Sequence, residues 1–375
     1  MPNFKCKNIK ELSLPFSKDG VGFCFQTKYE QNKKFIFTKV NDESFFLQIN
    51  KKDEYVVKID KLSKITNLQL MQKALEVFMN NFCEDITNKA FYFNENKKLA
   101  NNILSSALAA ANYINNCKKD VFIEIGFGSG RHLLKQAQNN KEAIFIGIEI
   151  HKPSLIQVSN LAKDLDNILL LDFDARMVLK LLKNNSINGL YLHFPVPWDD
   201  AISRRVISKE FKEELFRILK INAFFELRSD SLNYTKYALE LFSDDDYVLL
   251  KNKEAFIVSK YEARWQKMGK DIYDFIFYKK EDKTNDVNKK EYDLNFSVKK
   301  LKKCFFKAED YFVKLDRIYD CDDAFKIARI SYGAFHSPSS SYILVKDKIN
   351  FLFFDFCASN ENIKALEKLK ELLNE

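Results

Sequence analysis

The chain has 375 residues, 46% hydrophobic and 30% charged, with a formal net charge of +8. This length allows two or three domains with ordinary packed cores, and with no run of about 18 apolar residues it excludes a helical membrane span. Seven cysteines and four histidines, scattered without a Cys-x-x-Cys pair, argue against zinc, against a disulfide frame and for no metal at all, while the positive charge favours a polyanionic partner without requiring one.

The start, Met1-Pro-Asn-Phe-Lys-Cys6, carries no apolar leader, so a cytoplasmic enzyme is the expectation. Up to about residue 62, apolar and polar residues alternate (Phe35, Phe37, Val40; Phe45, Leu47, Ile49; Tyr55, Val57, Ile59), with turns at Asn41-Asp42 and Lys51-Lys52-Asp53. That pattern predicts a small antiparallel β unit. Residues 67–83 have helical spacing, so 1–95 reads as a β-rich extension plus a helix. A second helix is predicted over about 97–116, around Ala107, Ala109, Ala110 and Ala111, opening a domain at 96–280.

That domain begins with Val121-Phe-Ile-Glu-Ile-Gly-Phe-Gly-Ser-Gly130: a strand, an acid at Glu124, then glycines at 126, 128 and 130. A strand running through such a turn into a helix lets the backbone lie flat against a ligand, since no Cβ blocks the approach. The dinucleotide fingerprint Gly-x-Gly-x-x-Gly places its third glycine one residue later, which weakens a dehydrogenase reading. A second strand, Ala143 to Ile150, ends at Glu149, where an acid accepts hydrogen bonds from ribose hydroxyls. A third, Ile168 to Leu171, runs into Asp172-Phe-Asp174-Ala175, placing acids at a third successive strand end.

Strands and helices then alternate, as a parallel α/β sheet requires. A helix opens at Pro153-Ser154. Asn188 to Phe194 reads as the fourth strand, Arg204 to Leu219 as a helix, Ala223 to Arg228 as the fifth strand and Leu232 to Phe242 as a helix. Tyr247 to Leu250 and Ile272 to Tyr278 bring the count to seven strands, the last antiparallel. Residues 281–293 are polar and read as a linker. Beyond them, 294–375 reads as a separate α+β domain. Its strands are Cys304 to Leu315, Phe325 to Ile330, Tyr342 to Val345 and Phe351 to Phe356, a loop covers His336 to Ser341, and Ile363 to Leu373 is a terminal helix.

Nine arginines occur, seven of them between Arg131 and Arg264. Arginine gives planar, bidentate anion recognition that lysine cannot copy, so this concentration marks a candidate anion site. After the fourth strand, Phe194-Pro-Val-Pro-Trp198 is stiffened by two prolines and could hold a planar base against Phe194 or Trp198. It is not the Asn/Asp-Pro-Pro-Tyr element used for exocyclic amines, and no cysteine stands there for C5 chemistry. A ring nitrogen, which needs no covalent activation, remains.

The glycine turn with its preceding acid resembles motif I of class I S-adenosylmethionine methyltransferases. Over about 120–280 the chain also resembles the bacterial single-subunit tRNA (guanine-N7-)-methyltransferases. The resemblance rests on residues 124–130, Gly-Ile-Glu-Ile-His (147–151), Asp174-Ala175, Phe-Pro-Val-Pro-Trp (194–198), Ser229-Asp230, Ser259-Lys-Tyr-Glu262, Gly269 and Tyr273-Asp-Phe. It implies a seven-stranded Rossmann-like α/β sheet, S-adenosylmethionine as cofactor and methylation of N7 of a guanosine at position 46, in the tRNA variable loop. By it, Glu124, Gly126, Gly128, Glu149 and Asp174 would bind the cofactor. Phe194, Trp198, Asp230, Ser259, Lys260 and Glu262 would hold the nucleotide, with Asp230 in a catalytic, positioning role.

The chain departs from that family in one place. Where the family has Phe-Pro-Asp-Pro-Trp followed by His-Lys, this chain has Val196 and, at the lysine position, Asp200. N7 of neutral guanine carries a free lone pair, so attack on a methyl sulfonium needs alignment rather than a base. An acid such as Asp230 or Asp199 could offset charge on the product ring. Two other readings stay open: a methyltransferase of another substrate, and a non-catalytic tRNA-binding protein on the same scaffold.

Overall fold

The computed structural model describes residues 2–93, 102–282 and 292–375, apart from 42, 64, 66, 105, 106, 256, 258–267, 323, 354, 355 and 357. Its packing divides the chain into two units, residues 100–289 and the two ends together, 1–99 with 290–375. Among the described residues, no helix is long and apolar enough to cross a membrane.

The middle unit is built on an eight-stranded sheet. Along it, in spatial order, lie Tyr247–Lys251, Tyr273–Tyr278, Leu219–Ser229, Ile187–His193, Val121–Ile125, Ile144–Ile148, Ile168–Leu171 and Ile103–Leu104. Neighbours are parallel except Tyr273–Tyr278, which runs antiparallel to both strands beside it. This is the doubly wound class I methyltransferase sheet that the sequence led us to expect, with one strand more. Ile103–Leu104 pairs with Leu170 and Leu171 as an edge strand and is not part of the helix expected from 97. That helix is Ala107–Asn116. Two β-favouring residues meeting an open sheet edge outweigh the helical spacing around them.

Every residue of Ile144–Ile148 is buried, as expected for a parallel strand covered on both faces. On one face Ile123, Ile146, Leu190, Phe225 and Phe275 pack against Ala110, Val178, Phe211 and Ala238 of four helices. On the other face Phe145 and Leu170 meet Leu133 and Ala137 of Arg131–Asn139 and Leu155 and Val158 of Lys152–Leu161. The strand order reverses between Val121–Ile125 and Ile187–His193, and a crevice at the carboxyl ends of strands at such a switch point is where ligands bind in this class of sheet.

The two chain ends read from sequence as separate additions, but they form one unit. Seven antiparallel strands from residues 3–89 cover the helix Leu68–Phe82 with one face, through Phe4, Phe23, Phe45, Leu47 and Phe78. The C-terminal segment forms a five-stranded meander backed by the helix Asn360–Asn374. Phe35 and Phe46 of the first sheet meet Tyr319, Ile327 and Tyr342 of the second. Backbone pairing between Thr27 and Cys321, with the Lys28 amide 2.6 Å from the Asp320 carbonyl, joins the two layers. The physical reason is burial: alternating strands leave each sheet with a second apolar face that must be covered. Cys304 to Leu315, expected as one strand, is a hairpin of Cys304–Lys307 and Phe312–Asp320.

Candidate active site

The glycine turn sits at the switch point. Gly126, Gly128 and Gly130 all have positive φ, at 70°, 51° and 69°, a region side chains avoid. A Cβ added at Gly126 or Gly128 would meet no atom within 4 Å, so the turn presents an open face there. At Gly130 a Cβ would lie 2.5 Å from Val158. The first two glycines therefore leave the backbone open, and the third packs closely against Val158 of the helix Lys152–Leu161.

Glu149, at the end of the second strand, is nine-tenths buried. Its Oε2 accepts from the Gly128 amide at 3.0 Å and its Oε1 from the His151 amide at 2.9 Å. The carboxylate thus fastens the glycine turn to the neighbouring strand while keeping lone pairs for another donor. Glu124 lies one strand over, opposite Gly147 in the register, and is 4% exposed. Its Oε2 accepts from His132 Nδ1 at 2.9 Å.

His132 belongs to a polar cluster that sequence reasoning missed. Its ring lies 4.5 Å from that of His193 and 4.7 Å from that of Tyr191. His193 Nε2 is 3.0 Å from Glu226 Oε1. Tyr191 stands opposite both Glu124 and Glu226, His193 opposite Arg228, and Arg228 opposite Asp274. Arg228 and Asp274, both buried, form an ion pair at 2.5 Å. The result is a polar ladder across four adjacent strands. Burial disfavours charge on His132, but the Glu124 carboxylate, with Glu226 behind it, outweighs burial and raises its pKa. Burial likewise works against the Glu226 carboxylate, but His193 leads the groups that bring its pKa below the ordinary value. Burial raises the pKa of Asp274 despite Arg228. The only sequence signal for this cluster was polar residues inside apolar strands, at 124, 191, 193, 226 and 228.

The fourth strand leads into Phe194-Pro-Val-Pro-Trp198. Phe194 and Trp198 have φ of 49° and 47°, an unusual conformation for aromatic residues that persists only where surroundings enforce it. The enforcing contacts are visible. The Phe194 amide donates to the Arg228 carbonyl at 2.7 Å. Arg205 donates to the Pro197 carbonyl at 2.7 Å and to Asp199 at 2.9 Å, and Arg204 lies over the Trp198 ring at 5.0 Å. Val196 is 61% exposed and Trp198 39%.

The family model described as putative methyltransferase matches residues 118–275. A relative from Campylobacter jejuni, described as tRNA (guanine-N(7)-)-methyltransferase, is 41% identical over 392 residues, covering 100% of this chain and 98% of its own. The chain belongs to the tRNA (guanine-N(7)-)-methyltransferase family. Relatives with the same description from Campylobacter fetus and Wolinella succinogenes are 37% and 32% identical, over 100% and 92% of this chain and 99% and 92% of their own. The likeness thus takes in both chain ends. Among solved structures, an antibiotic-related methyltransferase is 21% identical over 46% of this chain and 92% of its own, with a TM-score of 0.35.

Within this family member, the residues singled out from sequence do not all come together. Glu124, Gly126, Gly128 and Glu149 are brought together around one turn. Asp174 stands at the end of the next strand, but its carboxylate caps the helix Ala175–Leu179 and takes two hydrogen bonds from the Arg176 guanidinium, at 3.0 and 2.7 Å. Asp230 follows the fifth strand and faces Lys270 at 3.3 Å. Ser259, Lys260 and Glu262 lie outside the described residues. Of the arginines expected at an anion site, three turn inward. Arg205, Arg217 and Arg228 are buried against carboxylates and carbonyls of the chain itself, because a planar guanidinium satisfies several buried acceptors at once.

Proposed function

We propose that this chain transfers the methyl group of S-adenosylmethionine to N7 of guanosine 46 in the variable loop of tRNA. The observation that carries the reading is the open glycine turn at the switch point, flanked by two buried carboxylates on adjacent strands, in a chain whose full-length relatives are described as tRNA (guanine-N(7)-)-methyltransferases. The donor set fits the cofactor. Carboxylates at Glu124 and Glu149 suit its ammonium and ribose hydroxyls, and the bare backbone at Gly126 and Gly128 leaves room for it to lie flat. When bound, the cofactor supplies an electrophilic methyl group on a sulfonium.

The protein's own contribution is alignment. The constrained segment 194–198 presents an aromatic ring and a rigid backbone against which a guanine can stack. Asp230 and Asp199 each already face a cation, Lys270 and Arg205. Their part is therefore to position rather than to neutralise the methylated ring, and the loss of an acid at Val196 is consistent with a reaction that needs no base. Asp174 contributes through the helix that it caps.

The test is incubation of the full chain with methyl-labelled S-adenosylmethionine and unmodified tRNA transcripts bearing guanosine or adenosine at position 46, followed by nucleoside analysis. Labelled N7-methylguanosine from the first transcript alone supports the proposal. Label in both shifts the target to another guanosine, and cofactor binding without label points to a different substrate.

A further inference from the structure

The partly buried His132 and His193 beside the glycine turn have no role in the reading so far. We propose that His132 is a positioning residue that ties down one oxygen of Glu124 and so presents the other to the cofactor. This rests on the reading of Glu124 as a cofactor-binding residue.

Three observations carry it. His132 is the second residue of the helix that leaves the glycine turn, and its Nδ1 lies 2.9 Å from Glu124 Oε2. Among the described residues, no hydrogen bond reaches Glu124 Oε1. One helical turn later, the Gln136 amide nitrogen lies 3.2 Å from His132 Nε2. An amide N–H pointing at Nε2 requires that nitrogen to accept, which leaves the ring proton on Nδ1, where it is donated to Glu124. The chain Gln136, His132, Glu124 therefore runs in one direction. Finally, the ring plane is fixed by Tyr191 and His193 on the fourth strand.

The groups facing His132 are Glu124 on the first strand, Tyr191 and His193 on the fourth, Glu226 and Arg228 on the fifth, and Gln136 on its own helix. The carboxylate of Glu124 accepts at Nδ1, so a donor proton stays at that contact whether the ring is neutral or charged. Without it, Glu124 would be a buried carboxylate that has lost its side-chain partner, with nothing to fix which oxygen faces the cofactor. Glu124, His132 and His193 also offer ligand atoms within 4.8 Å of one another, the kind of grouping that can hold a metal ion. Each histidine already has a carboxylate partner, which favours the hydrogen-bonded arrangement.

Titration calorimetry with S-adenosylmethionine decides the matter, on the full chain, His132→Ala, His132→Asn and Glu124→Ala, each confirmed folded by its melting curve. Asparagine places an amide donor near the Nδ1 position. Affinities are expressed relative to the parent in the same buffer. The expected result is an affinity loss of about tenfold or more for His132→Ala and substantial rescue in His132→Asn. A loss not rescued by asparagine would reduce His132 to a packing role and overturn the proposal. So would unchanged binding in His132→Ala while Glu124→Ala binds poorly. If Glu124→Ala binds as tightly as the parent, the underlying reading of Glu124 fails instead. Elemental analysis of the purified chain showing one equivalent of tightly held metal would assign the cluster to that ion and equally overturn the proposal.

Discussion

Two buried layers in this molecule are built on opposite principles. The layer joining the two terminal sheets is aromatic: Phe46 is fully buried, with Phe37, Phe35 and Tyr342 at centroid distances of 5.8, 5.4 and 5.2 Å. The ladder across the middle sheet is polar, running from Glu124 through His132 and His193 to Glu226, with Arg228 and Asp274 beyond. The first stabilises through area and shape. The second is costly unless each group finds its partner, and such clusters are concentrated where chemistry occurs. One layer fastens the terminal unit together, while the other lies beside the candidate site.

The sharpest way to break the comparison is to remove one partner from each layer. Asp274→Ala leaves Arg228 buried without its carboxylate and is expected to cost about 3–5 kcal/mol, read as a lower denaturant midpoint. Replacing Arg228 and Asp274 together by Met and Leu is expected to restore most of that loss. Phe46→Ala leaves a cavity in the aromatic layer and is expected to cost about 3–5 kcal/mol as well, but with cofactor affinity in calorimetry unchanged. If Phe46→Ala weakened cofactor binding as much as a site variant does, the separation of roles would be lost.

Glu149→Gln keeps the shape and removes the charge that two backbone amides share. It is expected to weaken S-adenosylmethionine binding by about tenfold or more, with a smaller effect on melting. The smallest effect is one of pH. The raised pKa of His132 stabilises the fold fully below its ordinary value of 6.5, and that contribution is lost as pH rises through the folded value. The lowered pKa of Glu226 stabilises above its ordinary value of 4.5, a contribution lost as pH falls through the folded value. Both contributions coexist between those two values. The stability gap between the parent and the double variant His132→Asn/Glu226→Gln is therefore expected to peak in that window, on the order of 1 kcal/mol. Urea melts across pH would show the peak, and a flat gap would mean that the cluster is not coupled to folding.

The sequence by itself determined what is local. A strand running through three glycines requires a turn of positive φ, and Glu124 and Glu149 at successive strand ends follow from the alternation of strand and helix. The prolines around Val196 announced a stiff segment after the fourth strand, though not the left-handed backbone of Phe194 and Trp198. That strain comes from the Arg228 carbonyl and from Arg205, which lie on other elements. Tertiary structure alone decided what depends on register and on open faces. His132 and His193 are far apart in the chain and meet only because parallel pairing sets Tyr191 beside Glu124. Ile103 and Leu104 became a strand because an edge was free to pair with them. The N- and C-terminal segments merged into one unit because each sheet carried a second apolar face, and alternation along a strand reveals that such a face exists without revealing what will cover it.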